Sequence, residues 1–368
     1  MPYNEWYEAS MSQVGGFEPY SSLINLSALE HKVKLGEEFN VIGIDWPKES
    51  MLALMKQVEP SDWPATPAGR ASYDPLIDVD TIPPAPTDPS DPDVWPRRKV
   101  AFLPALPFSA LDHAIALRIL RGKRPARIVD FGGAFPTALT RVLLAERSIE
   151  YTLIHPRIGV APGVPMWELD DTALAKREAD MAAAAARTHA LGPRDLTTQR
   201  NIERFGPRMA LADVMRAAWF KRKQLPMGLE AGDIVALRSS HVSRLDSESL
   251  FFLLEVLPVL PHGVRVFVHG VWLPRHYPRE LYYGLRWFAT ENYFLAAALS
   301  GTPRYKILFG AQAALTYSSD AVLRAALGDA AAEGVTAAAK ADPTAAPSGL
   351  WLEIDATAGS KGGVPEEA

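Results

Sequence analysis

Two histidines close two strand-like runs in this chain. His241 lies near the end of GDIVALRSSHV (residues 232–242), and His269 follows VRVFV (264–268). Imidazole titrates near neutral pH, so a histidine at the mouth of a buried strand is a candidate general base. An acid, Asp130, sits at the end of a third run, RIVDF (127–131), directly before Gly132-Gly133. Glycine permits a sharp turn and close approach by a ligand. A helix beginning just past it aims its first amides at the same place. Asp130 can accept a hydrogen bond there from a ligand ammonium or hydroxyl. Ser240 beside His241, Thr137 beside the glycines, and Glu291 and Tyr293 in TENYF complete the polar set. The bland alternative is that each histidine satisfies a neighbouring backbone group and that the glycine pair is only a tight connection. The pair is neither the dinucleotide fingerprint G-x-G-x-x-G nor a P-loop.

Positioning these groups requires parallel strands whose ends share one edge. The pattern supplies them. Helix-like periodicity over 50–58 (Leu52, Leu54 and Met55 on one side), 110–120, 137–146, 248–257 and 291–299 alternates with strand-like runs at 127–131, 151–154, 233–237, 264–268, 305–309 and 350–354. An Ala-rich helix is expected over 167–190, and another helix followed by a loop over 329–347. Such alternation predicts an α/β fold, a mainly parallel sheet covered by helices on both faces. In that arrangement ligands bind at the carboxyl ends of the strands, where the strand order switches.

Composition bounds the rest. The chain has 368 residues, 48% of them hydrophobic, and a net charge of −5. That is ample chain for a large core and lacks the basic stripe of a nucleic-acid binder. The absence of cysteine excludes disulfides, thiolate nucleophiles and Cys-ligated zinc. The first twenty residues carry no signal-peptide core, and the apolar run 250–260 is too short to span a bilayer, which predicts a soluble, cytoplasmic protein. Prolines crowd the segment from Pro83 to Pro96, an extended linker by their lack of a backbone donor. We therefore expect an N-terminal extension or cap over 1–97, a main domain over 98–355 and a loose tail over 356–368.

Several segments together resemble the class I S-adenosylmethionine (SAM)-dependent methyltransferases, in particular a bacterial subgroup of small-molecule methyltransferase-like proteins. They are RIVDFGGAFPTAL, GDIVALRSSHV, VRVFVHGVWLPRHYPRE, TENYFLAAAL and the closing SGLWLEI, within about residues 107–355. The resemblance implies a Rossmann-like seven-stranded sheet, SAM as cofactor, and O- or N-methylation of a small molecule in secondary or specialised metabolism. It places Asp130, Gly132, Gly133, Thr137, His155 and Ser240 at the cofactor. His241 becomes the base, with His269 as its alternative, and Trp272, Tyr277, Glu291 and Tyr293 line the substrate side. The neighbouring Tyr282, Tyr283 and Trp287 belong to the same aromatic stretch, whose other reading is core or homodimer packing. The chain departs from the pattern at three positions. His155 replaces the ribose-binding acid, and Arg238 and Gly270 replace two aspartates. Without those oxygen ligands no bound metal is expected. Two alternatives stay open: a SAM-consuming intramolecular ring closure, and a binding or scaffold protein that has lost catalysis.

Overall fold

The computed structural model describes residues 38, 43–64, 108–135, 139, 149–154, 188–191, 215, 228–239, 241, 243, 247–283 and 289–355. Its elements in chain order are α1 (Lys48–Lys56), α2 (Ala110–Gly122), β1 (Arg127–Phe131), β2 (Glu150–Ile154), β3 (Thr188–Leu191), β4 (Ile234–Leu237), α3 (Glu248–Phe251), β5 (Arg265–Val268), α4 (Arg279–Tyr283), α5 (Glu291–Leu299), β6 (Tyr305–Gly310), α6 (Ala311–Tyr317), α7 (Asp320–Leu327), α8 (Asp329–Ala341) and β7 (Leu350–Ile354). A π-helical segment, Phe252–Val256, prolongs α3.

The architecture is α/β, a mixed sheet with helices packed on it. Strands stand in the order β3-β2-β1-β4-β5-β7-β6. β1 pairs parallel with β2 and β4, β4 pairs parallel with β5, and β7 runs antiparallel to both β5 and β6. Short apolar strands such as IVAL and RVFV are buried along their whole length, as strands covered on both faces must be. β3 corrects one expectation. Residues 188–190 were the end of the expected Ala-rich helix, yet their backbone pairs with β2 from Tyr151↔Thr188 to Ile154↔Leu191. Sheet pairing overrides a weak local preference there.

Buried polar groups hold the elements in register. At the amino end of the sheet, Asp233 Oδ1 accepts from the amides of Ala126 (3.1 Å) and Arg127 (2.9 Å), joining the approaches to β1 and β4. Arg265, 2% exposed, donates from Nη1 to Ile119 O (2.9 Å) and from Nη2 to the carbonyls of Lys123 and Gly232 (2.5 Å each). It thereby caps the end of α2, where helix carbonyls lack intrahelical partners. At the opposite end of α2, Asp112 accepts from Ser109 Oγ (2.8 Å) and from the amides of Ser348 (3.0 Å) and Gly349 (2.9 Å). That bond set ties the helix start to the entry of β7.

Residues 43–64 pack into the same core as the segments beyond residue 108. Met51 and Met55, one helical turn apart, are enclosed, whereas Leu52 and Leu54 are only half-buried, so the buried stripe of α1 differs from the expected one. A Cβ on Gly310 would lie 2.6 Å from the Trp46 ring. The expected boundary near residue 98 therefore does not separate this part of the extension from the core. No helix among the described residues is long and apolar enough to cross a membrane.

Candidate functional site

The carboxyl ends of β1, β4 and β5 form the site's edge. Phe131 pairs with Leu237, and Leu237 with Val268, so the three tails leave the sheet side by side. This is the neighbourhood expected for Asp130, His241 and His269.

The β1 tail turns at Gly132 (φ 84°) and Gly133 (φ 72°), both in the left-handed region that favours glycine. Asp130 is fully enclosed. Its Oδ1 accepts from Ala134 N (2.6 Å), and its Oδ2 from Phe135 N (3.2 Å) and the Tyr151 hydroxyl. The carboxylate thus organises the turn through the chain's own donors rather than facing a ligand. Burial pushes its pKa up to about 6, against the pull of these hydrogen bonds and the Arg238 charge. Phe135 anchors the far side of the turn by stacking on Phe267 of β5, with ring centroids 5.1 Å apart.

The β4 tail holds a buried polar cluster. His241 Nδ1 lies 2.8 Å from Glu291 Oε2. Ser239 Oγ donates to the Glu291 carboxylate at 2.9 Å and accepts from His241 N at 2.8 Å. His241 has φ 58°, rare for a residue with a side chain. The contacts of its side chain and backbone hold it there: His241 O accepts from the amides of Thr290 (2.7 Å) and Glu291 (3.0 Å). The ring lies against Gly270, where an added Cβ would come within 2.3 Å of Cε1 and 2.6 Å of Nε2. Glycine at 270 makes room for the imidazole.

The β5 tail carries His269, whose ring stacks on Phe108 (5.6 Å, 10°) and stands 6.2 Å from that of His241. The two imidazoles are 1% and 0% exposed, and Glu291 is 0% exposed. In this arrangement all three belong to the floor of the edge, and Glu291 orients His241 instead of lining a substrate space. Trp272 and Tyr277 are likewise enclosed, ring against ring at 5.3 Å, so they pack as core. Tyr293 is half-buried. Thr137, His155, Ser240 and Trp287 lie outside the described residues.

Sequence reasoning missed the part played by the first turn of α5. Four consecutive residues there hold both loops of the edge. Thr290 Oγ1 accepts from Ser243 N (2.9 Å), and Glu291 holds His241. Asn292 Oδ1 accepts from the amides of Trp272 (3.0 Å) and Leu273 (3.1 Å), its Nδ2 donates to Arg275 O (2.8 Å), and its amide donates to the Tyr277 hydroxyl (3.0 Å). Tyr293 Oη lies 3.0 Å from His276 Nδ1. The only advance signal was the density of polar side chains in T-E-N-Y before an apolar helix.

A cleft of about 270 Å³ also opens between α7 and α8, lined among others by Leu323, Arg324, Glu333 and Lys340, none of them a residue of the sheet edge. Comparison with protein-family models, curated proteins and solved structures found no match for this chain.

Proposed function

We propose that the chain is a SAM-dependent methyltransferase acting on an oxygen or nitrogen of a small molecule without a metal ion. The observation that carries this reading is the side-by-side exit of the β1, β4 and β5 tails, with the glycine turn on β1 and the strand order running away from β1 on both sides. Such a switch point is where open α/β sheets bind ligands. The parallel run from β3 through β5 and the antiparallel closing strand β7 support the Rossmann-like, seven-stranded arrangement that the sequence resemblance implies.

The residues present fit the group in one respect. Gly132 and Gly133 carry no side chain of their own at the mouth of β1, where both are buried. On this reading they hold the ligand, with Thr137, His155 and Ser240 as further contact positions, while Asp130 keeps the turn in shape. SAM, when bound, supplies an electrophilic methyl carbon. The chain contributes alignment of the acceptor, exclusion of water and a place for one proton. Alignment alone is worth about 7–11 kcal/mol in favourable cases. Arg238 and Gly270 leave the edge without the carboxylates a divalent ion would need at those positions.

Isothermal titration of the full-length protein with SAM tests this directly. We expect saturable heat that Gly133→Val removes, because a β-branched residue does not hold φ 72°. Mass spectrometry with hydroxyl, amine and acid acceptors then distinguishes methylation of a second molecule from ring closure of the ligand itself. Silence at millimolar SAM favours the second reading, a methyltransferase-like scaffold. The enclosure of Asp130, His241 and His269 speaks for that alternative.

A further inference from the structure

Among the imidazoles placed at this edge, those of His241 and His269 are shut off from solvent, so an arriving acceptor does not meet them. The pair formed by His276 and Tyr293 differs. Tyr293 Oη and His276 Nδ1 are 3.0 Å apart, their ring centroids 5.7 Å, and both side chains are half-buried with part of their surface open. The pair is also fixed from behind. Tyr277 meets the Tyr293 ring edge-on at 6.2 Å, and its hydroxyl accepts from Asn292 N. The Asn292 side chain in turn grips the loop at Trp272, Leu273 and Arg275, immediately before His276. A hydrogen-bonded phenol and imidazole, held rigidly and reachable from outside, have the geometry general acid–base chemistry requires.

We propose that His276 and Tyr293 are the proton-transfer pair of this edge, serving a hydroxyl-bearing small molecule that meets the open sides of these two rings. The substrate O–H gives its proton to Tyr293 Oη while the phenolic proton passes to His276 Nδ1. The substrate oxygen keeps the bonding electron pair, and His276 becomes the imidazolium. Burial holds the His276 pKa below the ordinary imidazole value, so the ring is neutral and able to accept at pH 7. Among the described residues, Tyr293 lies across the contact, and Arg275, the preceding residue, directs its Nε to Thr316 Oγ1 (2.8 Å). The acceptor's identity rests on the methyl-transfer reading; the chemistry of the pair does not.

A phenol activated in this way also attacks an activated ester. With p-nitrophenyl acetate, a bond forms between Tyr293 Oη and the acetyl carbon. The bond to the p-nitrophenyl oxygen breaks, p-nitrophenolate leaves with the electron pair, and the phenolic proton goes to His276. Full-length protein is treated with this probe, digested, and the acetylated peptides quantified by mass spectrometry. We expect Tyr293 to react at least about tenfold faster than any other tyrosine, a threshold set below the roughly 10²–10⁴-fold an aligned base gives. Tyr293→Phe removes the label, and His276→Gln lowers the Tyr293 rate at least about tenfold. The wild-type rate rises with pH to a plateau with its midpoint below 6.5, the ordinary imidazole value, a profile the Gln variant lacks. Uniform labelling of tyrosines, or an unchanged rate in His276→Gln, overturns the pair. If the Gln variant does not fold, the wild-type profile decides: no inflection below 6.5 overturns it equally. Absence of SAM binding with Tyr293 labelling intact overturns the methyl-transfer reading and leaves the pair standing.

Discussion

His241 and Gly270 depend on one another. A methyl at 270 meets the imidazole within 2.3 Å and must also adopt φ 77°. Gly270→Ala is expected to lower stability in urea by about 3 kcal/mol or more, combining backbone strain with an overpacked contact. Gly301→Ala is the control: its φ is 71°, but nothing lies within 4 Å of the added carbon, so only the backbone cost applies. If the two variants lose equal stability, the contact with His241 contributes nothing. Two buried groups make a second prediction at this scale. Asp130 is raised to about 6, so its contribution is greatest in acid and is lost as pH rises through 6. His113 is lowered by burial to about 4, so its contribution is present above the ordinary value of 6.5 and is lost as pH falls toward 4. The two slopes oppose each other between pH 4 and 6. In denaturation series across that window, His113→Gln should make stability fall with rising pH, and Asp130→Asn should make it rise. Matching slopes in the two variants would contradict at least one of the two assignments. The positions of Asp130 and His241 were readable from sequence because each ends an apolar run. The partner of His241 was not, since Glu291 lies fifty residues downstream and only the tertiary fold brings it near.

At the level of elements, the first turn of α5 decides how the edge is built. Asn292→Ala strips acceptors from the buried amides of Trp272 and Leu273, at about 1–3 kcal/mol for each group left unsatisfied. We expect hydrogen exchange at those two amides to accelerate by tenfold or more while the β1 amides keep their protection. Uniform acceleration throughout the sheet would mean that Asn292 supports the whole fold and not this loop. Strands were the legible elements. RIVDF and LWLEI match β1 and β7 end to end, because short β-branched or aromatic runs bounded by polar residues have few other uses. Helices were less legible. α6 and α7 were not anticipated, and the Ala-rich segment hid β3, since alanine reports helix propensity and says nothing of a neighbouring strand that needs a partner.

For the molecule as a whole, composition signalled a large core and strand–helix alternation an α/β one, but neither showed where it begins. A proline-rich stretch reads as a border, yet α1, which precedes it, inserts Met51 and Met55 among the residues of the sheet domain. A chain starting at residue 98 is therefore expected to lose cooperative unfolding or to aggregate, and Met51→Ala in the full chain to cost about 2–5 kcal/mol. A soluble truncated chain with an unchanged melting temperature would show that this packing is dispensable. The same contact bears on how the protein is made. Gly310 N donates to Met51 Sδ at 3.4 Å across 259 residues of chain. At translation rates of about 5–20 residues per second, the sticky early helix waits on the order of tens of seconds outside the ribosome before its binding groove has been synthesised. During that interval it is a natural client for chaperones, and slowing elongation should raise the fraction of newly made protein that is lost.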